Sequence, residues 1–233
     1  MKKQNREKAN GGFTLLELLI VITIIAILSV ALVFVLNPSE TLMKSRDTQR
    51  LSDLSTLKTA LGVYMTSTSS PQLDGTTGTP NDKCVGGAAQ TLFVSAETAA
   101  PNGTISSTVP SPFTVWGQVG TAAAATPVDG TGWIPVKLTS LIGGSPISNM
   151  PVDPVNRIVA NGSTLGAIIT NGPLIYRYAC RKSPLAFEID ARLESSAYGP
   201  SGADDKGAKD GGNNTILYEV GTDLTILPNL ATY

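Results

Sequence analysis

Histidine is missing altogether from this chain, cysteine occurs twice, and only 15% of its 233 residues are charged. Without histidine the commonest general base and the commonest metal ligand are gone. Two cysteines without histidine cannot build a structural zinc site or a Cys–His catalytic pair. Carboxylates or a serine–lysine pair could still form an enzyme site, but no motif converges on one. The chain is therefore expected to be no enzyme and to need no cofactor. Its net charge of −1 gives no basic footprint for nucleic acid. The length suits one membrane helix and one modest domain.

A long apolar run is present. No residue from Leu18 to Leu36 is charged, and Phe13–Leu36 is long enough to cross a bilayer, which takes about 20 residues at ~1.5 Å each. Glu17 sits just inside the start of this run. A carboxylate at the centre of such a helix costs about 2.5–3.5 kcal/mol, and less near its end. Two readings of Glu17 follow: it snorkels to the headgroups, or it has a charged partner. Lys2, Lys3, Arg6 and Lys8 against Glu7 make the preceding segment basic, so it should stay cytoplasmic. A secretory signal would have a shorter apolar core with a cleavage site after it. A plain single-pass anchor fits the length but leaves Gly12, Phe13 and Glu17 without a role.

The order basic leader, Gly11-Gly12-Phe13-Thr14-Leu15-Leu16-Glu17, then an unbroken apolar run resembles the precursors of bacterial type IV pilins and type II secretion pseudopilins. The resemblance covers residues 1 to about 65. It implies that prepilin peptidase cuts between Gly12 and Phe13 and that Phe13 becomes the methylated first residue. It also implies that Glu17 meets the Phe13 amine of a neighbouring subunit, which offsets the burial of both charges and selects one axial register. A pair within one chain is the alternative, because Phe13 and Glu17 are i,i+4 neighbours. The expected partners are further copies of the chain, other pilins, the peptidase, the inner-membrane assembly machinery and the membrane itself. The location expected is the cytoplasmic membrane first, then an extracellular pilus or envelope filament. Loss of the leader leaves 13 basic and 17 acidic residues.

Five segments follow from the reading: a leader at 1–12, a membrane and polymerisation helix at 13–36, an amphipathic helix at 37–66, a variable region at 67–131 and a sheet with loops at 132–233. Pro38 either kinks a continuous helix or opens a new one capped by Asn37. Leu51, Leu54, Leu57, Leu61 and Tyr64 form one apolar stripe. The charges around Arg46 and Asp47 are expected on a solvated face. Residues 67–131 are rich in Ser, Thr, Gly, Ala and Pro and read as a surface insertion, with Ala122–Ala125 as loop and one strand near Phe113–Trp116. Its hydroxyl content suits an adhesive or glycan-bearing surface. Alternation of Phe187, Ile189, Ala191 and Leu193 with Glu188, Asp190, Arg192 and Glu194 marks a strand, with others at 175–180 and 215–220. The fold class is thus α+β: a long N-terminal helix packed on a small antiparallel sheet, pilin-like.

Cys84 and Cys180 fall on the outer side of the membrane helix, where an oxidising compartment favours a disulfide over two separate thiols. Pro151-Val152-Asp153-Pro154 reads as a rigid structural loop, Asp153 capping a turn through its own backbone. It resembles a loop of pseudopilins but continues with Val155-Asn156 rather than an aromatic residue and glycine. The Gly199–Asn214 stretch holds Asp204, Asp205, Asp210, Asn213 and Asn214. Those oxygens suit a Ca²⁺ site, as in related pseudopilins, or a solvated loop in which Lys206 and Lys209 compete.

Overall fold

Thr14 starts the first helix, α1 (Leu15–Leu36), as an extended N-cap residue. The computed structural model describes residues 12–75, 78–99, 105, 109–158 and 174–228. Residues 1–11 of the expected leader, and 76–77, 100–104 and 106–108 of the expected insertion, lie outside them. The chain divides into two compact units, Met1–Leu42 and Met43–Tyr233. In the first, the described side chains of α1 are exposed, and Leu15–Val33 is long and apolar enough to cross a membrane, with mean hydropathy 2.9. Asn37 ends it with a left-handed backbone (φ 37°). Pro38 then opens α2 (Pro38–Ser67) at the first helical position, where a missing N–H costs nothing. The Asn37 side chain accepts the Glu40 N–H at 3.4 Å. The chain has thus taken the second of the two options at Pro38, a new helix rather than a kinked continuous one.

The second unit is an α+β fold. Its sheet has five strands in the order β2-β1-β3-β4-β5. They are β1 (Thr91–Glu97), β2 (Val115–Val119), β3 (Tyr176–Arg181), β4 (Ala186–Arg192) and β5 (Leu217–Gly221). β1 runs parallel to β2, and the other neighbours are antiparallel. The sheet is therefore mixed, and larger than the three antiparallel strands expected. The region read as an insertion supplies two of its strands. β1 is buried along nearly its whole length, and Ala122–Ala125 forms a short helical turn, α3.

One face of the sheet packs on α2. Leu54, Leu57, Leu61 and Tyr64 meet Phe93, Tyr176, Tyr178, Phe187, Ile189 and Val220 in one apolar cluster. Each buried leucine stabilises by roughly 1.5–3 kcal/mol. The opposite face is covered too. Leu92, Val94, Ala179, Ala186 and Leu217 lie under Phe113, Ile158, Ile226 and Leu227. Because both faces are covered, the polar half of the β4 alternation is buried: Glu188 is 0% and Asp190 1% exposed.

Candidate functional site

Gly12 and Phe13 precede α1 without helical structure, and Phe13 is 89% exposed. A Cβ added at Gly12 would meet nothing within 4 Å. The fold itself therefore does not require glycine there. Small size at Gly12 matters only to something that approaches the Gly12–Phe13 bond from outside. One turn later Glu17 closes a capping box. Its Oε2 accepts from the Thr14 N–H and from the Thr14 hydroxyl, both at 2.9 Å, while Thr14 Oγ1 accepts the Glu17 N–H at 3.2 Å. Two orphan donors of the helix start are satisfied this way. The carboxylate stays on the exposed surface of α1, within one turn of the nitrogen that cleavage would free.

Residues 8–33 match the family described as the prokaryotic N-terminal methylation motif. The chain carries a type IV pilin- or pseudopilin-type prepilin signal. No curated protein and no solved structure matches the chain. The prepilin signal and one apolar helix fit a membrane-anchored precursor, and a signal of this type implies processing by prepilin peptidase and membrane assembly with pilins in general.

In the second unit the sites expected from sequence are dispersed. Asp153 does cap its own loop, accepting the N–H groups of Val155 (2.8 Å) and Asn156 (3.1 Å). It also binds Arg50, whose Nε and Nη2 reach its two oxygens at 2.6 and 3.0 Å. Arg50 Nη1 reaches Asp47 Oδ1 (2.8 Å) and Glu194 Oε1 (2.7 Å), and Arg46 grips Glu194 from the other side with two bonds. Asp47 in turn accepts the backbone N–H groups of Glu194 and Ser195. Asp47 and Arg50 are fully buried, so the Arg46–Asp47 charges are not a solvated face. Burial alone would lower the Arg50 pKa, but the carboxylates of Asp153, Glu194 and Asp47 raise it. Burial likewise works to raise Glu194, but Arg46 and Arg50 hold it below the ordinary range. The network ties α2, the Pro-x-Asp-Pro loop and the segment after β4 into one piece. Trp133 adds to the same loop by donating its indole N–H to Pro151 O at 2.8 Å.

Cys84 and Cys180 form a buried disulfide, closing 96 residues of chain onto β3. The three aspartates suggested for calcium point to other partners. Asp204 pairs with Lys206 and Lys209. Asp205 accepts the Ser201 and Ala208 N–H groups. Asp210 accepts those of Gly212 and Glu219. Among the described residues no three Asp, Glu, Cys or His side chains group to hold a metal ion. Asp210 and Asn214 instead finish β5, because Asn214 Oδ1 accepts the Leu217 N–H (3.3 Å) on the strand's outer edge beside the Asp210–Glu219 bond.

Sequence reasoning put Asp47 and Arg50 among the solvated charges of the helix and Glu194 on the polar side of a strand, and did not bring the three together. A signal for two of them was nonetheless present: Asp47 and Arg50 continue the stripe Leu54, Leu57, Leu61, Tyr64 backwards at three- and four-residue steps.

Proposed function

We propose that the chain is a non-enzymatic structural subunit of a type IV pilus-like filament serving adhesion, motility or DNA uptake. What carries this reading is the prepilin signal running directly into a helix that is apolar all round and bears one charge, Glu17. Such a surface is at rest only in lipid or against other helices. After the cut at Gly12–Phe13, the Phe13 amine of one subunit and Glu17 of the next would neutralise each other within the packed helices. Methylation of that amine leaves it a cation. The second unit, built on α2, would face outward and decide what the fibre touches.

The test is intact mass and N-terminal fragmentation of protein from the native membrane and from the sheared surface fraction, with electron microscopy of the latter. A chain that begins at methylated Phe13 and is found in fibres supports the reading. A chain that retains Met1, or is cut beyond Leu36, overturns it. Glu17→Ala is expected to be cleaved but to yield few or no fibres. The Pro151–Pro154 loop favours a second reading, a pseudopilin of a type II secretion system. In that case the processed subunit would be found without surface fibres.

A further inference from the structure

Ile142 is 104% exposed, the most open large apolar side chain among the described residues. It stands at the second position of a tight turn, Leu141–Gly144, closed by the Gly144 N–H to Leu141 O at 2.9 Å. Gly143 follows with φ 100°, which makes the turn type II and favours glycine there. A Cβ on Gly143 or Gly144 would meet nothing within 4 Å, so backbone conformation and not crowding calls for both glycines. The turn is fixed at both ends. Leu141 is buried in the α2 cluster, Ile147 packs against that cluster, and the Ser145 hydroxyl donates to Ile147 O at 2.6 Å. Proline or a polar residue suits the second position of such a turn. Here a rigid support holds an isoleucine out in water, where its own fold gains nothing from it. No residue from Leu138 to Ile147 is charged, so the tip can leave water without stranding an ion.

A receptor of matching chemistry lies on the same unit. β2 is an edge strand, and Gly117 at its middle stands opposite Phe93 of β1, on the side that carries the α2 cluster. The missing side chain leaves room for the Phe93 ring; a Cβ at Gly117 would fall 2.4 Å from its Cδ1. The result is a cleft of about 320 Å³, with buried Phe93 and Trp133 at its base and Val115, Val119 and Pro135 along its sides. Among the described residues Lys83 is the one charged group in its lining.

We propose that the Leu141–Gly144 turn of one copy seats Ile142 in the Phe93–Trp133 cleft of the next. This contact rests on the filament reading above, which sets copies side by side through α1. Burying one isoleucine strengthens association by roughly tenfold to a hundredfold, too little to hold two free proteins together. Between domains already tethered in one array the same contact is intramolecular in effect, and it suffices. The occupant that fits these terms is a second copy of the chain. Knob and cleft are different surfaces, so the contact is heterologous: each copy gives one and receives one, and it repeats along an assembly.

The experiment co-expresses two full-length variants, Ile142→Cys and Val115→Cys, and oxidises the membrane and sheared surface fractions. The native cysteines are locked in a buried disulfide, so the new thiols are the reactive ones. Mass spectrometry is expected to find a bond from position 142 of one copy to position 115 of another. Val155→Cys in place of Ile142→Cys, also at an exposed valine, should pair with position 115 about tenfold less. Ile142→Asp should leave the unfolding midpoint of the chain in detergent unchanged but cut fibre recovery after shear about tenfold, and Ile142→Leu should restore it. Absence of the 142–115 bond overturns the proposal, as does fibre recovery that Ile142→Asp leaves untouched. The N-terminus, read in the same fractions, separates the two failures. A chain that begins at methylated Phe13 in fibres without the bond sinks this contact alone, whereas one that retains Met1 sinks the filament reading and the contact with it.

Discussion

A guanidinium surrounded by three carboxylates is an expensive thing to bury, and Arg50 is 0% exposed. The cost is offset because every prong has a partner: Asp153 on two nitrogens, Asp47 and Glu194 on the third. Removing only the cation strands the anions. Arg50→Leu is expected to destabilise the domain by about 3–5 kcal/mol, read from denaturant midpoints of the full chain in detergent. Arg50→Lys restores the charge but not the flat fork, and should fall between the two. The same network predicts acid sensitivity. Glu194 is held below its ordinary pKa, so its contribution is complete above the unfolded value and is lost as pH falls through the folded one. Unfolding midpoints below about pH 4 should drop in the unaltered chain and drop less in Glu194→Gln. In the sequence these residues look like surface charges, because helical spacing reports which face is shared but not what covers it.

Among the elements, α1 and the apolar half of α2 were fully legible, since each announces itself through local spacing alone. β3, β4 and β5 were legible too, through alternation and the turn residues between them. β1 was not: Thr91–Glu97 lies in a stretch poor in charge and rich in small hydroxyls, and only its neighbours β2 and β3 make it a strand. Nor did alternation in β4 reveal that its polar positions are buried. That burial depends on Phe113, Ile158, Ile226 and Leu227, which come from distant parts of the chain. The aspartates of the 204–214 stretch look like ligands in sequence because their type is right; in place, Asp210 and Asn214 close a strand edge. Asp210→Ala combined with Asn214→Ala should free the N–H groups of Leu217 and Glu219 and make the protein self-associate with concentration, as read by light scattering against the unaltered chain.

At the scale of the whole molecule, the N-terminal signal was the most legible part, because its reader is an enzyme that meets a linear segment, and the fold adds little to it beyond exposure and the Thr14 cap. The disulfide was foreseeable from compartment and parity; that its two ends lie 4.7 Å apart between Cα atoms was not. Closing a loop of that size is worth about 4–5 kcal/mol in the chain-entropy account. Replacing both cysteines by alanine should lower the unfolding free energy by that order while leaving N-terminal cleavage unchanged, as measured by denaturant titration and intact mass. The grip around Arg50 has a mechanical meaning as well. Along α2 the first ties to the rest of the second unit are the ionic ones at Arg46, Asp47 and Arg50, before the buried leucines. Apolar surfaces can creep past one another because their attraction has no direction. Forked arginine contacts have one geometry and resist sliding, so the start of α2 within the second unit is the part held in register.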